Sequence, residues 1–186
     1  SAAADVYKRQ PDDRLMQLTR ELKEEKLDVL LVDDGGQKLF APIFEQCRAL
    51  GAEIAVHAVN QGKGRALKTG LNAALNIWPD LSGVVTADAD GQHTLRDILR
   101  IIEAMREHPN ALVLGSREFT GDVPFKSRWG NRITRFVYAL ASGVHVSDTQ
   151  TGLRGLPACA IPAMITIDGE RYEYEMNVLL KLRDMK

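Results

Sequence analysis

The chain has 186 residues, enough for one domain with a real core, and its 45% hydrophobic and 26% charged content is that of a globular protein rather than a disordered one. A formal net charge of −1 argues against whole-surface attraction to nucleic acid, so no nucleic-acid partner is expected. The two cysteines, Cys47 and Cys159, are far apart and form no C-x-x-C, so neither a disulfide framework nor a thiolate zinc site is suggested, and a reducing, cytoplasm-facing location fits. No apolar run approaches the ~20 residues of a membrane-spanning helix, and the first residues lack the apolar core of a signal peptide.

In chain order, residues 1–10 show no periodicity that continues into the next segment and read as foreign or disordered. Pro11-Asp12-Asp13 opens a helix, with proline and acids suited to a first turn, and Leu15, Leu18 and Leu22 mark its apolar face. The run Val29 to Val32 predicts a strand covered on both sides, ending in Asp33-Asp34-Gly35-Gly36. Phe40, Ile43, Phe44, Cys47 and Leu50 predict the next helix. Residues 54–59 read as a second strand, Asn60-Gln61-Gly62-Lys63-Gly64 as a glycine loop, and Leu67, Leu71, Ala74, Leu75 and Trp78 as a helix face. Gly83-Val84-Val85 predicts a buried strand breaking into a loop at Asp88-Ala89-Asp90-Gly91-Gln92-His93. Leu95, Ile98, Leu99, Ile102 and Met105 give another helix, and residues 111–115 a fourth strand. This alternation predicts an α/β fold with a mainly parallel sheet flanked by helices.

Beyond Gly115, residues 126–141 read as a helix, with Trp129, Ile133, Phe136, Val137 and Leu140 apolar and Arg128, Arg132 and Arg135 forming a basic stripe. Residues 148–155 read as a polar loop, and a last helix starts near Arg171. It reaches Lys186 without a glycine cap or proline stop, so it is expected to be cut rather than finished.

The chemistry converges on the strand ends. On an extended backbone, residues i and i+2 share a side, so Asp88 and Asp90 can aim two carboxylates at one point. Hard oxygen ligands of this kind suit Mg²⁺ or Mn²⁺, with substrate phosphates completing the shell. The bland reading makes one of these aspartates the cap of the next helix. Gln92 is a neutral oxygen ligand at least as plausible as His93, and His57, His108 and His145 read as structural. A carboxylate at Asp33 or Asp34 can accept from a base N–H or ribose hydroxyls, or else cap the following helix. Gly62-Lys63-Gly64 at a helix start can cradle phosphate, or be a solvated turn; it is not a Walker A loop, because Gly64 rather than Ser or Thr follows Lys63. Arg117 and Arg128 carry forks suited to phosphate oxygens, and the basic stripe beside Trp and Phe suits an anionic membrane surface.

Taken in order, the strings Val32-Asp33-Asp34-Gly35, Asn60-x-Gly62-Lys63-Gly64-x-Ala66, Asp88-Ala89-Asp90-Gly91-Gln92-His93, Gly115-Ser116-Arg117, Gly130-Asn131-Arg132, Asp148-x-Gln150-Thr151-Gly152-Leu153-Arg154 and Gly169-Glu170-Arg171-Tyr172-Glu173-Tyr174-Glu175-Met176 resemble a family 2 glycosyltransferase of the GT-A fold. The branch they resemble is that of dolichyl-phosphate mannose synthase and polyprenyl-phosphate glycosyltransferases. The resemblance implies a catalytic domain over residues 11–186, incomplete at both ends, since the family's opening strand with its Pro-x-Tyr-Asn-like turn is lacking. It implies that Asp33, Asp34, Lys63 and Asp88 hold the nucleotide, that Asp88, Asp90 and Gln92 hold Mg²⁺ or Mn²⁺, and that Arg117 and Arg128 meet the acceptor phosphate, with Asp88, Asp90 and Arg117 catalytic. The implied reaction is inverting sugar transfer from a nucleoside-diphosphate sugar to a polyprenyl phosphate, carried out peripherally at the inner, cytoplasmic face of a membrane of the cell envelope.

Other readings predict different chemistry. A sugar hydroxyl acceptor needs a general base, for which Asp148 or Glu170 is the candidate. A haloacid-dehalogenase-type phosphatase also uses D-x-D-G after an apolar strand, but in its first strand. A nucleotidyltransferase would release diphosphate. An inactive nucleotide-sugar-binding fragment is the non-enzyme reading.

Overall fold

The computed structural model describes residues 13–36, 40–89, 93–117, 133–138 and 152–184. Its elements run α1 (Asp13–Glu24), β1 (Leu30–Asp34), α2 (Ala41–Ala49), β2 (Glu53–His57), α3 (Lys63–Ile77), β3 (Gly83–Thr86), α4 (Leu95–Glu107), β4 (Leu112–Arg117), β5 (Ile133–Tyr138), β6 (Arg154–Pro157), α5 (Ile161–Ile165) and α6 (Glu173–Asp184). The helix–strand alternation expected through β4 is present.

Burial along the strands follows their two-residue period. Leu30, Val84, Leu112 and Leu114 join Leu67, Leu71, Ala74, Ile161, Met164, Tyr174 and Val178 in one core, beneath α3, α5 and α6. The residues of opposite parity, Leu31, Val85 and Val113, join Leu15, Leu22, Phe44, Cys47, Ile98 and Ile101 in a second core, beneath α1, α2 and α4. Helices on both faces explain why these strands read as continuous apolar runs rather than alternating ones.

Strands β1 and β2 pair in parallel. In the second sheet the order is β3-β6-β4-β5. Strand β6 is antiparallel to both β3 and β4, which therefore run in the same direction with an opposed strand between them. Two sequence expectations are corrected here. Residues 133–138, read as part of a helix over 126–141, form β5, antiparallel to β4 over six paired residues. The string Ile133-Thr134-Arg135-Phe136-Val137-Tyr138 is β-branched and aromatic, and the edge of β4 offers it a full ladder, so pairing overrides the helical spacing of Ile133, Phe136 and Val137. Arg135 accordingly does not belong to a helical basic stripe; Arg128 and Arg132 lie outside the described residues. The polar loop expected over 148–155 gives way at Arg154 to β6, whose four residues are all buried. Hydropathy hides this strand because it starts with a charge.

Candidate active site

Two carboxylates end two strands, and the fold treats them differently. Asp34 closes β1 and is buried. Its Oδ1 accepts from the backbone N–H of Gln61 at 2.8 Å and meets His57 Nδ1 at 2.7 Å; its Oδ2 accepts from the N–H of Gly62 at 2.8 Å. His57 Nε2 continues to Thr69 Oγ1 at 2.9 Å. Asp34 thus fastens the glycine loop to the end of β1, and His57 is structural, as expected. Neither Asp33 nor Asp34 caps α2, whose N-cap position is Phe40 without a side-chain bond. Asp33 is half-buried, and its Oδ1 accepts from Gly36 N–H at 2.6 Å.

The glycine loop does start a helix. Gly62 is the N-cap of α3 with φ 103°, a conformation that favours glycine, and a Cβ there would meet the Glu170 carbonyl at 2.6 Å. The N–H groups of Gln61 and Gly62 are taken by Asp34 and that of Arg65 by the Glu170 carbonyl. An anion cradle made of those three groups is therefore already filled by the protein's own acceptors.

Lys63 is buried, and its Nζ lies 2.9 Å from Asp88 Oδ1, 3.2 Å from Asp88 Oδ2 and 3.3 Å from Glu175 Oε1. Arg154 Nη2 reaches the same Glu175 oxygen at 3.1 Å. Burial opposes the charge on Lys63, but the carboxylates of Asp88 and Glu175 and their hydrogen bonds outweigh it and hold the ammonium above the ordinary lysine range. Burial draws Arg154 below the usual arginine value against the opposing pull of Glu175, Tyr174 and Asp88; it stays a cation regardless. Asp88 itself keeps 26% of its side chain exposed, the most open member of the set. It lies two residues past the end of β3, and Gly152 faces it so closely that a Cβ would strike the carboxylate. Asp88 is not the cap of α4: Thr94 is, in a reciprocal box with Asp97.

The loop before α6 closes over the start of α3. Glu170 pairs with Arg65 Nε at 2.6 Å and Lys68 Nζ at 3.2 Å, and Lys68 also lies 5.3 Å from the centre of the Tyr174 ring. Both Glu170 oxygens thus lie within ion-pair distance of a cation, though the Arg65 contact on Oε2 lacks hydrogen-bond geometry.

Of the residues singled out from sequence, the fold brings Lys63 and Asp88 into contact and sets Asp34 behind the loop that carries Lys63. Arg117 closes β4. Asp90, Gln92, Arg128 and Asp148 lie outside the described residues, and His93 is buried just before α4. Among the described residues, no group of three or more His, Cys, Asp or Glu is placed to hold a metal ion. Sequence reasoning assigned no role to Glu175 or Arg154. The available signal was a charge set in apolar company: Arg154 between Leu153 and Leu156, Glu175 between Tyr174 and Met176.

The profile of "Glycosyl transferase family 2" matches residues 6–165. The chain belongs to this family. Its enzyme class is accordingly that of a glycosyltransferase, as its motifs imply, and not that of a haloacid-dehalogenase-type phosphatase. An uncharacterized protein of Methanocaldococcus jannaschii is 30% identical over 171 residues, which is 88% of this chain and 68% of that one. The UDP-N-acetylglucosamine–dolichyl-phosphate N-acetylglucosaminyltransferase of Methanococcus voltae is 35% identical over 123 residues, 63% of this chain and 48% of that enzyme. Against the latter, the chain spans about half the length of its relative. In three dimensions the chain is similar to the 4-diphosphocytidyl-2C-methyl-D-erythritol synthase of Anaerococcus prevotii, with a TM-score of 0.52 at 14% identity, covering 100% of this chain and 84% of that one. At that identity the likeness concerns fold alone, and it agrees with an α/β fold of the GT-A kind.

Proposed function

We propose that the chain transfers a sugar, with inversion, from a nucleoside-diphosphate sugar to a polyprenyl phosphate, with Mg²⁺ or Mn²⁺ held by Asp88, Asp90 and Gln92. The observation that carries this reading is Asp88: a partly open carboxylate just past the carboxyl end of β3, already holding a cation, the Lys63 ammonium, on both oxygens. Ligands of open α/β sheets sit outside such strand ends. The two Asp88 oxygens are hard donors of the kind Mg²⁺ and Mn²⁺ take. Bound there, the cation supplies neutralisation of the departing diphosphate.

The chain's own residues supply the rest. Asp33 meets the base or ribose. Asp34 contributes to nucleotide binding by fixing the loop that carries Lys63. Lys63 offers its ammonium to the diphosphate. Arg117 and Arg128 orient the acceptor phosphate, whose second pKa of about 6 leaves it largely dianionic at neutral pH, so it needs placement more than a general base. The activity of the Methanococcus voltae relative, sugar transfer to dolichyl phosphate, supports a polyprenyl-phosphate acceptor in preference to a sugar hydroxyl. Among the described residues no helix is long and apolar enough to cross a membrane, and we place the domain peripherally, at the cytoplasmic face, where such lipids present their phosphates.

The test is transfer of labelled sugar to a short polyprenyl phosphate, with UDP-N-acetylglucosamine first among the donors and Mn²⁺ present or absent. Labelled lipid that forms only with the cation, and release of nucleoside diphosphate rather than diphosphate, are the expected results. Equal transfer after chelation, or transfer to sugar hydroxyls in place of the lipid, would sink the reading.

A further inference from the structure

The cluster beneath Asp88 reaches past the strand end into the core. Two cations, Lys63 and Arg154, alternate with two carboxylates, Asp88 and Glu175, in contacts of 2.9 to 3.3 Å. Lys63, Arg154 and Glu175 are all buried, so little water screens them. The formal charge of the set is zero. One oxygen, Glu175 Oε1, serves both cations. Only Asp88 opens towards solvent.

A divalent cation on Asp88 must share that carboxylate with the Lys63 ammonium, which now faces both of its oxygens. The ammonium has three donors, and Glu175 is its second acceptor. The strength of the Lys63–Asp88 contact therefore depends on how much of the Lys63 charge Glu175 balances. Resting on the proposed metal-dependent transfer, we propose that Glu175 is a positioning residue for the cation site: by balancing Lys63 and Arg154 it weakens the hold of Lys63 on Asp88, leaving that carboxylate open to a divalent cation while keeping the ammonium beside it for the diphosphate.

Two variants of opposite charge should respond with opposite sign. Glu175→Gln leaves the cluster one charge more positive and turns Lys63 wholly towards Asp88. Lys63→Gln leaves it one charge more negative and removes the competitor. Mn²⁺ binding to the intact protein, read by loss of the free-ion magnetic resonance signal with and without nucleoside diphosphate, should weaken on the order of tenfold in Glu175→Gln and tighten by a similar factor in Lys63→Gln. The double variant should bind Mn²⁺ about as tightly as Lys63→Gln, because Glu175 acts through the Lys63–Asp88 contact and that contact is gone. Thermal melts establish which variants fold, and a merely structural Glu175 would lower the melting temperature without the opposed shifts in Mn²⁺ affinity. If Glu175→Gln does not fold, Lys63→Gln decides alone: unchanged or weaker Mn²⁺ binding overturns the proposal. Equal Mn²⁺ affinity in all folded variants overturns it too, while leaving the transfer reading in place. A parent protein that takes up no Mn²⁺ under either condition overturns the metal-dependent reading, and this inference with it.

Discussion

Asp34 and Asp88 make an instructive pair. Each follows an apolar strand, and sequence offered both as ligand-binding carboxylates. Asp34 has its charge met by two backbone N–H groups and His57, and is buried. Asp88 meets one ammonium and stays partly open, with Gly152 removing the side chain that would crowd it. A carboxylate whose lone pairs are filled from behind is an anchor. One that meets a single ammonium and stays partly open keeps a side that solvent reaches. The chemistry of the residue is the same; the number and direction of its donors make the difference.

The largest expected effect tests what lies behind Asp88. Arg154→Met leaves Glu175 with Lys63 alone at a buried position, and breaking one partner of a buried ion pair costs about 3–5 kcal/mol. The shift in denaturation midpoint measures it; a loss below about 1 kcal/mol would mean that the network does not tie β6 to α6.

A direct exchange of the two aspartates comes next. Asp34→Asn should cost about 1.5–3 kcal/mol, the range for hydrogen bonds to a charged group. Asp88→Asn should cost less in stability, since Lys63 keeps Glu175, yet abolish cation-dependent nucleotide binding. Calorimetry and melts on both variants separate anchor from ligand. The comparison breaks if Asp34→Asn leaves stability untouched but loses the nucleotide.

The smallest effect concerns the loop that closes over α3. The backbone N–H groups of Glu173 itself, Glu170 and Arg171 hold the Glu173 carboxyl below the ordinary carboxylate range. A carboxyl so depressed binds its proton less readily folded than unfolded. Its contribution is therefore present above the ordinary carboxylate range and is lost as pH falls through the folded value. Glu173→Gln should lower the melting temperature slightly at neutral pH and flatten its decline in acid. Parallel acid limbs in parent and variant would show that Glu173 carries no such contribution.

Much of the scaffold could be read from the chain alone. Leu30, Leu31 and Val32, or Val84 and Val85, announce strands covered on both faces because every position is apolar, and the helix stripes of α1 to α4 repeat at helical spacing. Local sequence also put Asp88 at a strand end and Lys63 at a helix start, since both follow from where periodicity stops. That information is contained within a few residues of each site. Tertiary structure decided the rest. Strand β5 took a helically spaced segment because the edge of β4 was there to pair with, and β6 entered between β3 and β4 carrying an arginine that no hydropathy reading places in a core. Glu170 meets Lys68 across 102 residues, and Glu175 finds Lys63 and Arg154 from a different helix. Charges in a core are stable only with partners, and here the partners come from distant segments, so only the folded chain says which carboxylate is buried among its donors and which stays partly open.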